Sequence, residues 1–293
     1  MQQKKLLNKL NQFFYLGRYH KPYGSILLMW PCYWGISYIN DFSFSNLKLF
    51  IFFFIGSIVM RGAGCTINDI IDAKFDRKVK RTKYRPIANK KISNSEAYFF
   101  LLFQLSCGFL IVINFNLKTV LLSFLIIPLV ILYPFFKRFS HYPQFILGLL
   151  FNWGVFIGHI SMGYQVHFEL FCLYLAGTFL TIGYDTIYAF QDIEDDIKIG
   201  VKSFAIKVKS NPRLNIFFIY LISFLFFSIA FLINNPSNLI SYLCLVLIFL
   251  HLVFQVLKLN INDNVSLQKI FISNTVLGGI VFICLVLKNN FYL

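Results

Sequence analysis

Long apolar runs separated by short charged segments make up most of the chain. Nine of them, at about 22–40, 47–68, 96–115, 118–136, 143–164, 169–190, 213–233, 237–257 and 269–288, approach the length needed to cross a bilayer. A helix needs about 20 apolar residues to span roughly 30 Å of hydrocarbon. The pattern predicts an all-α, polytopic membrane protein. Residues 1–17, MQQKKLLNKLNQFFYLG, read differently. Leu6, Leu10, Phe13 and Phe14 fall on one helical face, and Lys4, Lys5 and Lys9 lie elsewhere. This predicts an amphipathic helix lying in the membrane interface, followed by one transmembrane domain over 18–293.

Composition agrees: 58% of residues are hydrophobic and 13% charged, against about 25% charged in water-soluble domains. The net charge of +15 would suit a nucleic-acid partner, but its placement argues otherwise. With the N-terminus in the cytoplasm, the loops at 69–95, 137–142, 191–212 and 258–268 face inward. Those loops and their edges, the first 21 residues and Arg61 hold every Lys and Arg except Lys48, Lys118 and Lys288. That is the positive-inside bias, with a cytoplasmic N-terminus and a periplasmic C-terminus. It calls for no nucleic acid, and no obligate protein partner is evident. The first residues lack Arg, Ser and a cleavage-like site, which favours a bacterial cell inner membrane over a mitochondrial one. Six scattered cysteines without CxxC or metal-ligand spacing read as small apolar residues.

Two acidic stretches depart from this pattern. One is NDIIDAKFDRKVKRTKYR at 68–85, after the second run. The other is GYDTIYAFQDIEDDIKIGVKS at 183–203, after the sixth. They hold eight of the twelve Asp and Glu, and both belong to the same membrane surface. Intramembrane and membrane-edge acids are functional by default, and a matched pair weighs against solvated loop. Asn68, Asp72 and Asp76 are spaced i, i+4, i+8 and form a helical stripe. Asp192 and Asp196 are i, i+4, with Asp185 seven residues before Asp192 on nearly the same face. Carboxylates stacked so closely repel and need cations or metal. Mg²⁺ fits, since it takes a few carboxylates plus substrate phosphate. A calcium loop is excluded because Ile197 stands where such a loop needs Gly. The neighbouring cations Arg77, Lys78, Lys80, Arg81, Lys83, Arg85, Lys198 and Lys202 suit a diphosphate. Arg61 lies within a span, seven residues before Asn68 and about 10 Å along the same face.

These residues resemble the UbiA-type prenyltransferases, and among them the branch acting on 4-hydroxybenzoate. The family's NDxxDxxxD is present as Asn68, Asp69, Asp72 and Asp76, and its Dx₃D as Asp192 and Asp196. KPYGSILLMWP at 21–31, RGAGC at 61–65, VKRTKYRPI at 79–87, YPFFKR at 133–138, HYPQ at 141–144 and NTVLGGIVF at 274–282 extend the match. His20 departs from the Asp the family often has before Lys-Pro. The resemblance implies a bundle of nine transmembrane helices around a central cavity. It implies Mg²⁺-dependent transfer of an all-trans polyprenyl chain from polyprenyl diphosphate to 4-hydroxybenzoate, ortho to its hydroxyl, in ubiquinone biosynthesis.

The expected metal set is Asn68, Asp72, Asp76, Asp192 and Asp196. Asn68, Lys80, Arg81, Lys137 and Lys198 are candidates for the substrate head group. Arg138 or Arg61 would take the acceptor carboxylate, and Asp192 or Asp195 the phenol. Tyr133, Tyr184 and Tyr188 are candidates to face an allylic cation. A UbiA-type enzyme with another acceptor (a naphthoate, homogentisate or haem) is the nearest alternative. An ion-coupled transporter is the distant one, disfavoured because the acids gather at one surface and no inverted repeat is evident.

Overall fold

Because nearly every run is apolar on all sides, helix burial rather than helix amphipathicity decides the architecture. The computed structural model describes residues 2–39, 46–234 and 236–290. Its helices are α1 (Gln2–Leu16), α2 (Tyr23–Ser37), α3 (Leu47–Asp76), α4 (Asn94–Val112), α5 (Leu117–Leu125), α6 (Ile127–Phe139) and α7 (Pro143–Asn152). They continue as α8 (Gly154–Ser161), α9 (Phe168–Ala189), α10 (Ile193–Ile199), α11 (Phe204–Val208), α12 (Pro212–Leu232), α13 (Leu239–Lys258) and α14 (Asn264–Asn290). Among the described residues no strand forms, and the chain is an all-helical, polytopic membrane protein. Among the described residues eight helical stretches are long and apolar enough to cross a membrane. The expected first span, 22–40, falls on α2, whose 15 residues give only about 22 Å of rise. Its last position, residue 40, lies outside the described residues.

Two expected spans are broken. The run at 118–136 divides into α5 and α6, where Pro128 has no N–H to give the Phe124 carbonyl. The run at 143–164 divides into α7 and α8 around Trp153. The breaks are joined: Trp153 Nε1 donates to the Leu122 carbonyl at 3.1 Å. Broken helices, expected of transporters, therefore occur in this chain where protein groups meet the freed backbone.

Helix α9 is the centre. Of its most apolar window 78% is buried, against 11% for α4 and for the α5–α6 stretch, whose Phe99, Leu102, Phe103, Leu121 and Leu125 are exposed. Lipid offers no hydrophobic drive for helix pairing, so close backbone approach and interhelical hydrogen bonds carry it. Gly158 of α8 lies against the Cys32 carbonyl of α2, and Gly35 of α2 against the Val155 carbonyl, leaving no room for a Cβ at either position. Trp30 Nε1 donates to the Thr275 carbonyl at 2.8 Å, and Trp34 Nε1 to the Gly278 carbonyl at 2.9 Å, fastening α2 to α14.

Candidate active site

Thirty residues make α3 about 45 Å long, so its last turns reach the end of the bundle that carries both acidic stretches. The first motif is helical throughout, as its spacing predicts, and Asp69, Asp72 and Asp76 are 1%, 0% and 7% exposed. Charge buried this deeply must be paired, and the pairs come from distant segments. Arg18 Nη2 donates to both oxygens of Asp69 at 2.8 and 2.7 Å. Arg85 Nη1 reaches Asp69 at 3.0 Å and Asp76 at 2.9 Å. Lys137 donates to Asp72 Oδ2, while Asp72 Oδ1 is buried without a hydrogen-bond partner. Asn68 is half-buried beside them.

In the second stretch the helix does not continue from Asp185 to Asp192. After Ala189 a 3-10 turn, Phe190–Asp192, precedes α10, so the shared face expected for Asp185 and Asp192 is not formed. The turn aims Asp192 at the loop after α3. Arg81 Nε donates to Asp192 Oδ1 at 2.8 Å, and its Nη2 donates to Oδ2. Arg81 Nη1 donates to Tyr188 Oη at 2.9 Å. The Lys80 backbone N–H donates to Asp195 Oδ2 at 2.8 Å, so Lys80 joins the stretches through its backbone rather than its ammonium. Asp196 lies within electrostatic reach of Asp192, Lys137 and Arg81. Gly200, in the left-handed region at φ 73, ends α10, and Lys202 N–H then donates to the Lys137 carbonyl at 2.8 Å.

Cations converge on this end. Burial disfavours the charged Arg85 guanidinium, but Asp69 and Asp76 outweigh it and its pKa stands above the ordinary Arg value. Lys21 shows the opposite balance: burial, then Arg81, Arg18 and Arg85, lower its pKa. An ammonium crowded by three guanidiniums marks a place suited to a polyanion. Arg18 and Lys21 were not among the residues singled out by sequence, because neither lies in an acidic motif.

Beneath the charges is an aromatic layer. Tyr188 lies 5.0 Å from the Arg81 guanidinium, and the Phe271 ring is 4.5 Å from Tyr188, 5.5 Å from Tyr184 and 5.8 Å from Tyr23. Below Tyr184 the helices leave a narrow gap of about 10 Å³, lined by Leu27, Trp30, Trp34, Leu180 and Gly278 together with Asn152, Thr181 and Asn274. Arg61 sits at the edge of the layer, 5.4 Å from the Phe151 ring and within electrostatic reach of Asp185, Tyr133 and Tyr184. Its Nε and the Tyr23 hydroxyl are buried without partners.

Arg138 and Lys198 are not drawn into this arrangement. Arg138 is exposed, stacked 4.8 Å from Phe135 and 5.5 Å from Phe75, with Nη2 on the Ile71 carbonyl at 3.2 Å. It reaches Asp72 only at electrostatic range. Lys198 is exposed on α10. Among the described residues no three His, Cys, Asp or Glu converge as a metal cluster. Asn68, Asp72, Asp76, Asp192 and Asp196 therefore do not form the compact set expected, because Lys137, Arg85 and Arg81 stand between the carboxylates. The donor chemistry still suits a hard divalent cation: every candidate offers oxygen, and Asp72 Oδ1 is a buried oxygen with no hydrogen bond.

The sequence and the fold both have counterparts among known proteins. The model of the UbiA prenyltransferase family matches residues 28–286. The chain is 42% identical over 279 residues to the mitochondrial 4-hydroxybenzoate polyprenyltransferase of Dictyostelium discoideum, an alignment covering 94% of this chain and 60% of that relative. It is 36% identical over 273 residues to the 4-hydroxybenzoate octaprenyltransferase of Vesicomyosocius okutanii, covering 92% and 98%. Its fold is similar, with a TM-score of 0.67 at 18% identity and coverage of 94% and 99%, to that of a UbiA homolog from Archaeoglobus fulgidus bound to GPP and Mg²⁺. With a family match that takes in both acidic motifs and most of the helical bundle, the chain belongs to the UbiA prenyltransferase family.

Proposed function

We propose that the chain transfers an all-trans polyprenyl group from polyprenyl diphosphate to 4-hydroxybenzoate, giving 3-polyprenyl-4-hydroxybenzoate and diphosphate in ubiquinone biosynthesis. The observation that carries this reading is the vertical order of the site. Buried carboxylates with a ring of cations lie over an aromatic layer, which lies over the apolar interior of the helical bundle. A substrate with a polyanionic head and a hydrocarbon tail matches that order. The names of the Dictyostelium and Vesicomyosocius relatives support the acceptor, and the Archaeoglobus complex supports Mg²⁺.

Asp72, Asp76, Asp192 and Asp196, with Asn68, would hold Mg²⁺, which supplies Lewis-acid neutralisation of the diphosphate's charge. Arg81, Arg85, Lys137 and Lys21 surround the head group and stabilise the negative charge that grows on it as the allylic C–O bond breaks. The bonding pair leaves with diphosphate. Tyr184 and Tyr188 present ring faces to the positive allylic carbon, away from the water that would quench it. The acceptor's ortho carbon then supplies the pair for the new C–C bond, and its ring proton passes to the released diphosphate. Arg61 receives the acceptor carboxylate, and Asp195, which is not among the metal-holding residues, draws on the phenol proton.

Membranes containing the protein, incubated with Mg²⁺, labelled 4-hydroxybenzoate and a series of polyprenyl diphosphates, should yield lipid-extractable label. No transfer with 4-hydroxybenzoate, but transfer to another arene, would move the acceptor and keep the reaction. The basic loops support a site on the cytoplasmic face of a bacterial inner membrane, with the N-terminus on that side. Ser93→Cys and Ser210→Cys should both resist impermeant thiol reagents applied to intact cells, and labelling of either from outside overturns the orientation.

A further inference from the structure

Helix α1 has two unlike sides. One is fastened to the bundle: Phe13 lies 4.9 Å from Phe100, Lys9 is paired with Glu96 at 2.6 Å, and Leu16 is fully buried with Ala73, Ile87, Ile92 and Ala97. The other side exposes Leu6, Leu7, Leu10 and Phe14. These positions fall on one face, about 100° wide, of a helix with 3.6 residues per turn. Water does not tolerate such a row without cover.

Its place in the fold says what covers it. Glu96 and Phe100, which hold α1, belong to the first turns of α4, one of the membrane-crossing stretches. There Tyr98, Phe99, Leu102 and Phe103 are exposed. The apolar row of α1 thus continues the lipid-facing band of α4 at the height where that helix enters hydrocarbon. The occupant is the interfacial layer of the same bilayer, with Lys4 exposed at the helix margin for anionic headgroups.

The exit of α1 leads directly to the acidic motif. Arg18 adopts φ 60, a left-handed conformation uncommon outside Gly. Its Nη1 donates back to the Tyr15 and Leu16 carbonyls at 3.0 and 3.2 Å, and its Nη2 donates to Asp69. One guanidinium therefore ties the last turn of α1 to Asp69, which shares Arg85 with Asp76. We propose that α1 docks its Leu6, Leu7, Leu10 and Phe14 face into the membrane surface and, through Arg18 as a positioning residue, sets the Asp69–Arg85–Asp76 chain that receives the substrate head group. The second half of this statement rests on the function proposed above. The first half does not.

The test uses the full chain in nanodiscs of mixed zwitterionic and anionic lipid. An NBD label on Leu10→Cys, corrected for the parent protein's own cysteines, should emit as in lipid and be shielded from aqueous iodide. Water-like emission with full quenching overturns the docking. Leu6→Glu/Leu10→Glu should raise KM for polyprenyl diphosphate about tenfold, which is about 1.4 kcal/mol, with kcat and thermal midpoint unchanged. Arg18→Ala should raise the same KM while a label on Leu10→Cys stays docked, and Arg18→Lys should recover part of the loss. A docked label together with parental KM in the double Glu variant overturns the coupling. Loss of the head-group reading itself would show separately, as normal turnover in Asp72→Asn.

Discussion

Asp72→Asn is expected to lower prenyl transfer at least about a hundredfold, the scale seen when one preorganised electrostatic contact is removed from an active site. Membrane insertion and thermal midpoint should stay close to the parent's. Asp72 has no exposure, one oxygen on Lys137 and the other buried without a partner. Asparagine keeps the shape and the first contact but removes the charge that a divalent cation requires. Asp192→Asn should act alike from the opposite stretch, where Arg81 holds it. Chelation with EDTA should silence the parent enzyme and Mg²⁺ restore it. Turnover near the parent rate in either variant would overturn the head-group assignment.

The second large effect concerns the acceptor. Arg61→Lys should raise KM for 4-hydroxybenzoate roughly ten- to a hundredfold, since a charge-assisted hydrogen bond contributes about 1.5–3 kcal/mol. KM for the diphosphate should hardly move. Lysine cannot replace a planar, bidentate guanidinium. Gly24 supports the assignment: a Cβ there would stand 2.7 Å from Arg61 Nε, so its absence opens the slot in which the guanidinium lies. Gly24→Ala should shift the same KM in the same direction by less. Arg138→Lys should leave it near the parent value, because Arg138 rests on Phe75, Phe135 and a backbone carbonyl. A larger effect at Arg138 than at Arg61 would return the carboxylate to YPFFKR.

The helical stripe of Asn68, Asp72 and Asp76 was legible because spacing within one helix translates directly into a face. The meeting of the two acidic stretches was legible from topology, since both follow even-numbered runs. The 3-10 turn at Phe190–Asp192 was not: FQD contains neither Gly nor Pro, and its composition does not interrupt a helical register. Pro128 stands at the division of α5 from α6, and Gly154, a weaker breaker, stands directly after Trp153. Partners were the least accessible. Arg18 and Asp69 are 51 positions apart, and Arg81 and Asp192 are 111 apart. Periodicity names the face of a residue, not what lies opposite. The sequence thus suggested a cluster of carboxylates around metal, and the fold adds the guanidiniums and the ammonium that separate them.

The indole N–H groups of α2 reach carbonyls 244 and 245 residues later in the chain. During synthesis α2 enters the membrane long before α14 exists, so the bundle stays unsealed until the last helix arrives. Until then Trp30 and Trp34 must find other acceptors, in lipid headgroups or in whatever escorts the nascent chain. The packing of Trp30 against Gly278 is also missing until then. Such distant closure is slow by its nature. The contacts between α2 and α14 therefore form late in biogenesis, and a chain released before α14 would hold its acidic motifs without the packing that α14 supplies beneath them.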